Sequence, residues 1–431
     1  MTRALLLLAM VLFWAGSAAA ATFQICVKID ILTTDSGLTA NGVTEDKWVG
    51  ANDPIEYLVT GRGFRVKVRQ GSWVQTFDTH PETGCISFER TASTGFDVRV
   101  YGFATDSGGN HVRIHDAGLD TSSWYPGATY SQLFSNQTLS PFGANMFVLP
   151  GRASDIWTTI AAAAYGLYRY HDGNSGKTLS IGFAEGNCSN TGSIHGNAEN
   201  FIESKGAHLL RIGRCAGTST DARQKMIVTH EMGHAMLRLY YGFDGDDQPR
   251  DQGYDPPASI PTGAPPQGTN CINEAKYDMN SLEWNSQTFK ESYAEFYSAK
   301  VWNVKAARGT YVSRGTAYDL EKWDNVGDVN TFGGFTLNFC SSTEAGVTTM
   351  GDTLRFLWDF YTIGECGAQP TRLDMMKVYR AVRLNHKDGT FALTDTNYGE
   401  ALEYAIENSV SSLSACEQGG YDKFAAWNGV S

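Results

Sequence analysis

From Phe23 to about Asp116, apolar side chains fall at every second position. Ile25, Val27, Ile29 and Ile31 alternate with Gln24, Cys26, Lys28 and Asp30; Phe64, Val66 and Val68 alternate with Arg65, Lys67 and Arg69; Phe96, Val98 and Val100 alternate with Asp97, Arg99 and Tyr101. That period turns one face of each segment to a core and the other to water, so these are predicted half-buried strands separated by Gly- and Asp-containing turns. No helical period interrupts them, and the expectation is a small antiparallel β-sandwich over residues 22–118. Residues 119–150 carry Gly, Ser, Pro and short apolar pieces and are expected to hold a boundary.

Beyond the boundary the period changes. Ser154 and Asp155 can cap a helix from Ile156 to Tyr170, and Leu179 to Ala184 and Ala207 to Ile212 predict strands. Met226, Ile227, His230, His234, Leu237 and Tyr241 share a helix face, opened by Asp221 with Gln224 three residues on and closed by Gly242. Phe289, Tyr293, Phe296 and Tyr297 recur at helical spacing between Trp284 and Trp302, and the aromatic run Phe356 to Tyr361 suits a buried helix better than a specificity pocket. Helices and strands in this order predict an α+β domain over residues 151–431. Two domains also agree with length, since a single core rarely serves more than about 250–300 residues.

Three features of composition locate and constrain the molecule. Arg3, the unbroken apolar run Ala4 to Trp14 and the small residues Ser17 to Ala21 read as a secretory signal peptide over residues 1–20. That run is shorter than the roughly 20 residues needed to cross a bilayer, and no later stretch approaches it, so a secreted or periplasmic protein with no membrane span is expected. The eight cysteines are dispersed singly without a Cys-x-x-Cys pair, which in an exported protein predicts disulfides; Cys26 with Cys85 is a natural pair because both lie in the strand-rich segment. Formal net charge is −12, and removing the signal takes away Arg3 alone. Such a balance argues against nucleic acid or an anionic membrane as partner. Oligomeric state is not encoded legibly.

The strongest chemical signal is His230-Glu231-Met232-Gly233-His234. On a helix, residues four apart stand about 6 Å apart on one face, close enough for two imidazoles to reach one zinc ion, with a carboxylate between them as general base. The competing reading is a helix whose histidines merely pack. A catalytic zinc wants three protein ligands and an open position. If the helix continued as it does in the metzincin group, Gly and His would be needed at 237 and 240, where Leu237 and Tyr240 stand. A carboxylate from a second helix is the remaining source, and Glu291 and Glu295 are four apart on one face of the Trp284–Trp302 segment.

These residues resemble the gluzincin group of zinc metallopeptidases, in which a His-Glu-x-x-His helix is followed by a helix carrying Asn-Glu-Gly-Phe-Ala or a relative. Lys290-Glu291-Ser292-Tyr293-Ala294-Glu295-Phe296 stands in register with it, departing at Lys290 and Ser292. The resemblance covers about Asp221 to Trp302. It implies a zincin-like metallopeptidase fold for residues 151–431, Zn2+ held by His230, His234 and Glu291, and Glu295 orienting a zinc-bound histidine. The aminopeptidase Gly-x-Met-Glu-Asn signature is absent, so the implied activity is endopeptidase cleavage of a protein or peptide, by a zinc-activated water with Glu231 as base. An oxyanion donor is also implied; His386 and Tyr398 are the candidates, and for each the competing reading is a packed or surface residue. The Gly61–Val100 stretch loosely resembles transthyretin-like or carboxypeptidase-regulatory-like modules.

Two further possibilities stay open at this point. Asp244, Asp246, Asp247, Asp251 and Asp255 fall in a Pro-rich segment from Gly242 to Gly268; without the EF-hand order of ligands a solvated loop is expected, with Ca2+ the alternative. The alternatives to a peptidase are an exported binding or adhesion protein with a vestigial or structural metal site, and a zinc hydrolase of another bond.

Overall fold

The computed structural model describes residues 20–31, 58–114, 129–169, 178–185, 207–214, 224–241, 285–303, 310–313, 316–320, 331–332, 335–336 and 350–362. Among them the architecture is mixed α+β, with four helices packed beside two larger sheets. Strand β1 (Ala21–Asp30) is the centre of the first sheet. Strands β2 (Leu58–Thr60) and β5 (Cys85–Arg90) pair antiparallel along one edge of β1, and β9 (Ala144–Leu149) runs parallel along the other. Cys26 stands opposite Cys85 in this register, and the two form a disulfide, as their shared strand-rich setting predicted.

The second sheet has seven strands. Its order is β11 (Ala207–Arg214), β10 (Thr178–Glu185), β7 (His111–Ile114), β6 (Phe96–Thr105), β3 (Phe64–Gln70) and β4 (Trp73–Asp78), with β8 (Ser131–Gln137) also on β6. Period-two patterning is visible in the burial: along β6 every second residue, from Phe96 through Val98 and Val100, is buried. Phe23 of the first sheet meets Phe96 of the second at 5.6 Å between ring centroids, and Phe134 meets Phe147 at 5.0 Å, so the sheets share apolar side chains between them. Each buried Phe, Val or Ile there contributes about 1.5–3 kcal/mol.

Two features differ from the pattern-based expectation. The 119–150 segment supplies two strands, β8 and β9, one to each sheet. And β10, which lies beyond that segment, pairs in parallel with β7, which lies before it, with Thr178 opposite His111 and Ile181 opposite Ile114. Alternation along β1 to β7 reveals which face is buried but not which strand continues the sheet, because edge pairing is a backbone property shared by every sequence.

Helix α1 (Asp155–Arg169) begins where the Ser154 carbonyl accepts the amide of Trp157; Tyr170, the expected last residue, lies outside the described residues. Ile156, Trp157, Ile160, Ala161 to Ala164, Tyr165 and Leu167 are all buried. A helix apolar all round belongs inside a molecule. It lies between the second sheet and helix α2 (Lys225–Tyr241), which packs in turn on α3 (Asn285–Trp302), and α3 on α4 (Met350–Thr362). Phe356, Leu357, Trp358 and Tyr361 are buried on α4, as their spacing predicted. Two short hairpins, β12 (Thr310–Ser313) with β13 (Thr316–Asp319) and β14 (Thr331–Phe332) with β15 (Phe335–Thr336), complete the described elements.

Candidate metal centre

Helices α2 and α3 run antiparallel, with Met226 and Thr229 against Ser298, and Gly233 against Ala294. The approach is closest at Gly233. A Cβ there would lie 2.7 Å from the Ala294 Cα and 2.9 Å from its carbonyl oxygen, so only glycine lets the two backbones come this near. One turn away in α2, Thr229 Oγ1 lies 2.8 Å from Ser298 Oγ and accepts a hydrogen bond from Trp302 Nε1 at 2.9 Å. The helix pair is thus fixed by a notch and by polar bonds.

This crossing brings three side chains together. His230 Nε2 and His234 Nε2 are 3.2 Å apart, and each lies 3.3 Å from Glu291 Oε2. All three residues are buried, at 4%, 6% and 3% exposure, and the imidazole planes stand at 89° to one another. Three donor atoms of a tetrahedral zinc ion with bonds of about 2.0–2.1 Å are themselves about 3.3 Å apart. The triangle therefore has the dimensions of one face of such a tetrahedron. His230, His234 and Glu291 can hold a metal ion, and two imidazoles with a carboxylate make a donor set that suits zinc.

The electrostatics agree with that use. Burial, more than any neighbouring charge, lowers the His230 imidazole below its ordinary value and so favours the neutral ring, which is the ligating form. For Glu291 burial acts to raise the carboxyl, but the imidazoles of His234 and His230, 3.3 Å from its Oε2, outweigh it and hold the group well below the usual carboxylate range. A neutral His230 beside an ionised Glu291 is the state consistent with both directions. Metal binding needs those same protonation states.

Glu231, the residue after His230 in α2, is buried, and its charge favours protonation of His230. Glu295 is buried one turn beyond Glu291. Burial, and after it the Glu291 charge, push its carboxyl well above the ordinary value. Its Oε2 has no hydrogen-bond partner, nor has His234 Nδ1, so a bond between those two atoms is not formed. Neither Glu291 nor Glu295 is a surface carboxylate: both are only 3% exposed.

No family model matches this chain, and no curated protein matches it. The site's own geometry is therefore what bears on function.

His386, Tyr398, Asp221 and the acidic Gly242–Gly268 segment lie outside the described residues. Pattern reading missed Thr229, Gly233, Ser298 and Trp302 as parts of the site. The glycine inside a helical pattern was the available signal, since such a residue often marks a close backbone approach. Nothing in the sequence singles out Thr229 or Ser298, whose hydroxyls acquire a role only when the helices cross.

Proposed function

We propose that this protein is an exported zinc metallopeptidase of gluzincin-like design, acting on protein or peptide substrates. The observation that carries the reading is the triangle of His230, His234 and Glu291 atoms, sized for zinc, with the buried Glu231 carboxylate next to His230 in the chain. His230, His234 and Glu291 would hold the ion. When bound, zinc supplies Lewis acidity, polarising a carbonyl and lowering the pKa of water toward about 7. Glu231 would take a proton from the attacking water and pass it to the leaving amine. The resemblance would have Glu295 serve the outer N–H of a ligating imidazole, although its Oε2 and His234 Nδ1 are not bonded to one another, and His386 or Tyr398 would serve the developing oxyanion. Export is supported by the signal-like residues 1–20 and by the Cys26–Cys85 disulfide, which persists in oxidising surroundings. Zincin-like and sandwich-like assignments for the two parts of the chain belong to the same proposal.

The deciding experiment is digestion of casein and peptides by purified mature protein, with and without a chelator, beside Glu231→Gln. Cleavage that disappears on chelation, returns with zinc and falls about a hundredfold or more in Glu231→Gln is expected, the loss being that of a general base. Stoichiometric zinc with no cleavage of any substrate would refute the peptidase reading. A second reading, a binding protein with a structural metal, is favoured by one observation, the 3–6% exposure of the three ligands. It predicts that outcome, together with a large loss of stability on chelation.

A further inference from the structure

The hydroxyls between α2 and α3 do more than pack. Thr229 directly precedes His230, and its Oγ1 lies within hydrogen-bond distance of Ser298 Oγ, Trp302 Nε1 and, in its own helix, the carbonyls of Lys225 and Met226. Ser298 Oγ in turn donates to the Met226 carbonyl at 2.8 Å. In a helical ladder the carbonyl of residue i−4 receives the amide of residue i, so Met226 O is also the partner of the His230 backbone N–H.

Each hydroxyl has one hydrogen. One arrangement sends all three available hydrogens across the helix pair: Trp302 Nε1–H to Thr229, Thr229 O–H to Ser298, and Ser298 O–H to Met226 O. The chain starts on α3, crosses three times, and ends on the carbonyl that holds the His230 amide. Thr229, Ser298 and Trp302 are all buried at under 1%, so water cannot substitute for a lost partner.

We propose that Thr229, Ser298 and Trp302 are positioning residues that fix the His230 imidazole relative to Glu291, and so set the affinity and geometry of the metal centre. The proposal rests on the metal-binding reading above. Glu291 lies on the same helix as Ser298 and Trp302, and His230 on the same helix as Thr229; the relay therefore links the two ligand-bearing backbones within about three turns of the ligands. A metal site loses affinity when a ligand is held loosely, because binding must then order it.

Cobalt(II) is the probe, since its visible bands report coordination geometry. The full mature chain is titrated with cobalt as the unsubstituted protein, as Thr229→Val, which removes the hydroxyl but keeps the shape, and as Thr229→Ser, which keeps the hydroxyl. Thr229→Val is expected to bind cobalt about tenfold or more weakly with shifted bands, and Thr229→Ser to restore both. If Thr229→Val fails to fold by circular dichroism, Ser298→Ala decides by the same two readings. Unchanged affinity and bands in the folded hydroxyl-free variant would overturn the proposal, as would a Thr229→Ser variant that folds yet binds as poorly as Thr229→Val. No cobalt binding by the unsubstituted protein is a separate result: it would overturn the metal centre itself, and the positioning role with it.

Discussion

Glu295 is the residue whose chemistry is most exposed to test. Its raised pKa means that the folded chain keeps a proton that the unfolded chain releases above about pH 4.3. Stability from that proton is fully present below the unfolded value and is lost as pH climbs toward the folded one. Glu295→Gln cannot ionise, so in chelator-treated protein it should melt higher than the unsubstituted chain near pH 8 and no higher near pH 4. Equal offsets in melting temperature at both pH values would show that the carboxyl does not titrate in this way. His230, Glu231 and His234 were legible in the sequence because their chemistry needs a fixed spacing on one element. Glu291 was less so: from residues alone it stood level with Glu295, and only the crossing of α2 and α3 separates them, placing Glu291 against both imidazoles.

At the level of elements, the α2–α3 contact carries the site. Gly233→Ala gains helix propensity worth up to about 1 kcal/mol. Its Cβ would meet backbone atoms of Ala294, which cannot rotate away, and overpacking of this kind costs about 1–3 kcal/mol. The net expectation is a lower melting temperature together with weaker zinc binding. Gly166→Ala on α1 is the natural comparison: its nearest neighbours, at 3.1 and 3.3 Å, are the flexible tip of Met232, so stability should change by less than about 1 kcal/mol and zinc binding not at all. A Gly233→Ala protein with intact stability and zinc affinity would mean that the helices are not held this close. Period placed the helices, as in Trp284–Trp302 expected against the described Asn285–Trp302, but the cap of α2 was misplaced: Gln224, expected inside the first turn of a helix opened by Asp221, itself precedes the first helical residue, Lys225, and its carbonyl accepts the Val228 amide. Burial all round residues 225–236 of α2 and 291–302 of α3 was not readable, because Lys225, Thr229, Glu291, Ser298 and Lys300 break any apolar signal while lying inside.

Across the whole molecule, two constraints can be removed one at a time. The Cys26–Cys85 bridge closes a 59-residue separation, for which chain entropy gives a stabilisation of about 4 kcal/mol. Replacing both cysteines by serine should lower the urea midpoint and also raise the m-value, because the freed unfolded chain is more expanded. An unchanged m-value would place the effect in the native state instead. Metal is the second constraint: at a hundredfold excess over its dissociation constant a bound ion adds about 2.7 kcal/mol, so chelation should lower the melting temperature and zinc should restore it. Thermal scans of the same sample before and after chelation measure this directly.

The pairing of β7 with β10 has a consequence for how the chain comes into being. A ribosome delivers β1 to β7 well before residue 178, and until β10 arrives the outer edge of β7 has no strand to bond. Open edges recruit other chains. Crowded nascent chains, or fragments ending before β10, should therefore tend to associate through that edge, and the segment bearing the two histidines follows the strand that closes it.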